Sequence, residues 1–141
     1  MSKKEQKTVA LTSLKSLGGA IPEFTMPVKV PRVDGTLADL SFTVKGLRRT
    51  EWAAARDAYI ETLRSKEEAK GEDQAKFSFV DFVTKNIEEA AALVAKAAVG
   101  WNLEDDFGTE NLLAMEDMMP GSLAITLQSI DQALFHGRVG N

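Results

Sequence analysis

Met26–Lys45 reads MPVKVPRVDGTLADLSFTVK, and this stretch decides whether the chain is purely helical. Val28 and Val30 alternate with Lys29, while Leu40, Phe42 and Val44 alternate with Ser41, Thr43 and Lys45. A period of two puts every second side chain on one face of an extended strand. Asp34-Gly35 sits between the two runs, and that dipeptide is a strong short-range hairpin signal. Pro27 and Pro31 have no N–H to give a ladder, so the first strand is predicted at a sheet edge. A hairpin alone is marginal in water. Its apolar face must pack on helices or on another chain, and Val28, Val30 and Phe42 are the candidate residues for self-association.

Downstream, the period changes from two to nearly four. Thr50 is predicted to open a helix ending near Lys70 and Gly71, with Trp52, Ala55, Tyr59 and Leu63 on one stripe. Glu72 to Lys76 reads as a polar loop. Ser78 can cap a second helix reaching about Val99, because Val80, Val83, Ile87, Ala91, Val94 and Ala98 step by three or four. Phe77, Phe79 and Phe82 crowd its start; core packing and a partner contact both fit them. A short helix is expected over Asn111–Met118, capped by Thr109. A last one is expected over about Gly121–His136, led by Pro120, with Leu123, Leu127, Ile130 and Leu134 as its stripe. The fold class is thus α+β and mostly α-helical, an N-terminal β-hairpin followed by about four helices. Residues 1–24 lack sustained periodicity and read as an arm, residues 25–137 as a single domain, and residues 138–141 as a tail.

The 141 residues suffice for one ordinary domain, and 44% apolar with 27% charged residues are globular values. With no Cys, disulfides, thiolate metal sites and cysteine nucleophiles are excluded. One His cannot build a zinc site, and no GxSxG elbow or Gly-rich phosphate loop is present. Glu104-Asp105-Asp106 are consecutive, whereas a calcium loop spaces its oxygens at alternate positions. The chain therefore reads as non-enzymatic, with no cofactor and no metal. No apolar run approaches the roughly 20 residues that cross a bilayer. The net charge of −4 is unevenly spread: from Ala97 to Gly137 there are seven acids and no Lys or Arg. Such a half repels phosphate backbones, which argues against nucleic acid, and suits a basic protein partner, a copy of itself, or plain solvation. The cations Lys3, Lys4, Lys7 and Lys15 of the arm keep an adaptor role open, and a salt-dependent gel shift discriminates it.

Val99–Phe107, VGWNLEDDF, is the densest candidate. Gly100 suits the left-handed end of a helix, with Trp101 folding back on it and Leu103 and Phe107 dropping onto the core. That corner accounts for the apolar residues and leaves Glu104, Asp105 and Asp106 unexplained. Met115, Met118 and Met119 follow beside Glu116 and Asp117; flexible thioethers suit an adaptable binding surface, and an ordinary core helix fits as well. The candidate partner-binding residues are Trp101, Leu103, Glu104, Asp105, Asp106, Phe107, Met115, Met118 and Met119.

This order of features resembles the tail assembly chaperones of long-tailed, siphovirus-type bacteriophages. The hairpin, the segment GW-x-LEDDF-x-x-EN and the Pro120-Gly121 that precedes the final helix carry the resemblance, which spans roughly residues 26–137. Met118-Met119 stands where an aromatic neighbour is expected. The resemblance implies a non-enzymatic, self-associating protein of the bacterial cytoplasm, absent from the finished virion. It implies that the chain binds the tape measure protein, keeps it soluble and helps recruit the major tail protein. It also implies a longer frameshifted product; Val139-Gly140-Asn141 can be encoded GTG GGA AAC, which contains a slippery GGGAAAC run. The alternative is a small structural or scaffold protein that stays in the virion, which mass spectrometry of purified particles discriminates.

Overall fold

The computed structural model describes residues 23–71 and 79–137, together with the isolated positions 8, 10 and 13. Most of the arm, the 72–78 connection with Ser78 and Phe77, and the last four residues lie outside the described residues, as do the side chains of Phe79 and Phe82.

Strands β1 (Glu23–Pro31) and β2 (Leu37–Lys45) pair antiparallel, with Phe24 opposite Val44 and Pro31 opposite Leu37. Arg32 N donates to Thr36 O, and Gly35 N donates to Arg32 O. Gly35 has φ +90°, so a type I turn closes with a glycine bulge. Thr36 braces the loop by donating its hydroxyl and its N–H to Asp34 Oδ1, which holds the exposed Asp34 carboxyl below its usual value. The hairpin buries one face only. Met26, Val28, Val30, Leu40, Phe42 and Val44 go inward, and Lys29 pairs with Asp39 across the outer face at 3.1 Å.

Among the described residues, four helices share one core with the inner face: α1 (Arg49–Gly71), α2 (Phe79–Ala97), α3 (Thr109–Met118) and α4 (Ser122–Phe135). The hairpin-then-helices order read from the sequence is the architecture observed. α4 lies against β1, and α2 is central, touching α1, α3 and α4. Its Ala91, Val94 and Ala97 are buried, and alanines on that stripe let neighbouring helices approach closely. Trp52 is wholly buried. α1 starts one residue earlier than its Thr signal, and Glu51 reaches back to accept the Arg48 N–H at 2.7 Å, one half of a capping box.

The largest correction is at the end of α2. The predicted helix to Val99 stops at Ala97, and Ala98–Trp101 is a third strand, β3, in a sheet of order β1-β2-β3. Val44 opposes Ala98 while Thr43 opposes Gly100, so Val99 is the extra, exposed residue of a β-bulge. Gly100 is therefore not a left-handed helix cap. Its partner Thr43 lies 3.8 Å from where a Cβ would stand. Two smaller signals also differ. Thr109 is the first residue of α3 and Gly108 its cap, while Gly121, at φ +91°, rather than Pro120, leads directly into α4.

Candidate functional site

β3 carries Trp101 to a position opposite Phe42 on the inner face of β2. Phe107 returns from the following loop to meet both rings. Trp101 and Phe107 are edge-to-face at 5.3 Å between centroids; Phe42 lies 6.1 Å from Trp101 and 6.5 Å from Phe107. Such offset pairs add about 0.5–1.5 kcal/mol each beyond their buried area. Phe42 is fully buried and the other two rings half-buried, so the trio forms the base of the loop between them.

Backbone groups of that loop are pinned on both sides. Asn102 pairs with Ser41 twice, its N–H donating to Ser41 O and its Oδ1 accepting from Ser41 N, both at 3.0 Å. Trp101 Nε1 donates to Asp105 O at 2.7 Å, and Asn111 Nδ2 to Asp106 O at 2.7 Å. The carbonyls are used within the fold, which leaves the side chains of Leu103, Glu104, Asp105 and Asp106 exposed. Leu103 does not drop onto the core as its spacing suggested; it is 38% exposed. The result is a braced loop that presents one apolar and three anionic side chains.

The other candidates separate. Met115 is buried in the core, Met119 is half-buried against it, and Met118 is 64% exposed. Only Met118 of the three is a surface group. Val28, Val30 and Phe42 are 3%, 0% and 0% exposed. Their side chains are core, a correction to their reading as self-association residues, because the helices of the same chain already cover the face they share.

Two acids of the same half do something the sequence reading missed. Asp131 Oδ1 accepts from Trp52 Nε1 at 2.7 Å and from Arg56 Nε at 3.1 Å, and Oδ2 accepts from Arg56 Nη2. This ties α4 to α1 across 79 residues of sequence. The available signal was the spacing of four between Trp52 and Arg56, which aims an indole N–H and a guanidinium the same way. Glu116 accepts from Gly121 N at 2.8 Å and from Leu123 N at 2.9 Å, with Ser122 Oγ at 3.4 Å. Its carboxylate thus takes up free N–H groups at the start of α4, where anionic charge is favoured.

Among the described residues, no three or more His, Cys, Asp or Glu side chains converge to hold a metal ion. Among the same residues no helix is long and apolar enough to cross a membrane. An open groove of about 320 Å³ lies between β1 and α4, bordered by Met26, Pro27, Ile125, Gln128 and Gln132, and among the described residues no titratable side chain lines it. The family model for the phage tail assembly chaperone matches residues 9–141, and the chain belongs to that family. No curated protein and no solved structure matches it.

Proposed function

We propose that this tail assembly chaperone binds the tape measure protein, keeps it soluble and helps recruit major tail protein as the tube grows. The observation that carries this reading is the 102–107 loop, braced from inside and presenting Leu103 with Glu104, Asp105 and Asp106 to solvent. A surface of that kind suits a partner with apolar patches flanked by cations. Met118, exposed on the following helix, adds an adaptable apolar group. A long helical client offers similar patches many times, and repeated modest contacts sum to avidity without a deep pocket.

Self-association belongs to the same reading, since copies lined along one client stand side by side. The protein then acts in the host cytoplasm during assembly and leaves before the virion is complete. Stoichiometric recovery from purified particles contradicts that placement. A frameshift at Val139-Gly140-Asn141 is supported only by the possible GGGAAAC run, and a codon choice in the gene that interrupts the run removes that support.

Co-expression with the tape measure protein tests the docking surface. The parent chain is expected to keep the client in the supernatant. E104S/D105S/D106S is expected to fold normally and to leave much of the client in the pellet. Equal client solubility with both chains contradicts docking through this loop.

A further inference from the structure

Among the described residues β1 is the end strand of the sheet, and no strand lies on its outer side. Which backbone groups point outward follows from the ladder. Opposed residues of an antiparallel pair alternate between exchanging both N–H···O bonds and turning both groups away. Arg32 N donates to Thr36 O at 2.7 Å, and this pair continues the register that sets Pro31 opposite Leu37. Arg32 therefore faces β2, as do Val30, Val28 and Met26 by alternation. Pro31, Lys29 and Pro27 face outward. Ser41, opposite Pro27, gives an independent check: its N–H and C=O both pair with Asn102, away from β1.

Both prolines thus occupy positions where no ladder bond is lost inside the sheet. Outward, they remove the N–H groups that a new strand needs. Between them only Lys29 retains a donor, and its side chain carries a charge, a second common device for blunting edges. The opposite edge is limited differently: β3 has four residues and a bulge at Val99.

We propose that Pro27 and Pro31 are gatekeepers that prevent copies of this chain from joining edge to edge along residues 27–31 of β1. Copies and clients then meet through side-chain surfaces, and the sheet does not grow. A protein produced to gather on another chain is kept from polymerising through its own hairpin.

Sedimentation velocity of the full chain over a concentration series tests this. P27T/P31T restores two outward donors and is expected to shift to a higher weight-average mass than the parent, increasingly with concentration. Adding Lys29→Pro to that variant removes an outward donor again and is expected to return the distribution toward the parent's. A folded P27T/P31T that sediments like the parent overturns the proposal. Should P27T/P31T not fold, single prolines in the parent decide: K29P is expected to melt near the parent and V28P far below it. Equal losses at both positions overturn the outward assignment.

Discussion

Asp131 and Glu116 turn into the fold, whereas Glu104, Asp105 and Asp106 turn away from it. All five lie in the cation-free stretch after Lys96, so charge pattern alone does not tell them apart. The difference is what meets them. Asp131 faces an indole N–H and a guanidinium, and Glu116 faces the open N–H groups at a helix start. Among the described residues no such donor meets the loop acids' carboxylates: the bracing bonds use the side chains of Asn102, Asn111 and Trp101 against backbone groups, the indole N–H going to the Asp105 carbonyl. An anionic segment can therefore hold a fold together at some positions and present its charge to solvent at others.

The comparison breaks or sharpens under substitution, beginning with the largest effect. Trp52→Ala empties a fully buried site and removes one donor to Asp131; a loss of about 3–5 kcal/mol by denaturant unfolding is expected. Asp131→Ala strands the Trp52 N–H and the Arg56 guanidinium together. About 1–3 kcal/mol is expected to be lost, toward the lower end because the Arg56–Asp131 pair is partly solvated. Glu116→Ala removes the carboxylate at the start of α4 and is expected to cost about 1 kcal/mol, seen as a lower melting temperature. E104S/D105S/D106S is expected to stay within about 0.5 kcal/mol of the parent, as surface changes usually do. If Glu116→Ala proved as silent as the loop variant, the division into inward and outward acids would fail.

Legibility from sequence followed the range of the interactions. The hairpin was readable because alternation and Asp34-Gly35 are local and agree. The helical stripes were readable for the same reason, and Leu123, Leu127 and Ile130 are all buried as their spacing required. β3 was not. Ala98 continues the helical step from Val94, and its burial fits helix or strand equally. Only pairing with Val44, more than fifty residues earlier, decides between them. Within the candidate site, the packing of Trp101 and Phe107 toward the core was legible. The outward turn of Leu103 was not, since it depends on how Asn102 and Trp101 pin the loop. Met115, Met118 and Met119 share a composition and part ways by which side of α3 each occupies.

The central proposal is that Glu104, Asp105 and Asp106 form a contact surface that folding does not need. Calorimetric titration of a purified tape measure segment into the parent chain and into E104S/D105S/D106S, at low and raised salt, measures it directly. The parent should bind more weakly as salt rises, and the variant should lose most of the affinity together with that salt dependence. Equal affinities for the two proteins at low salt would contradict the account.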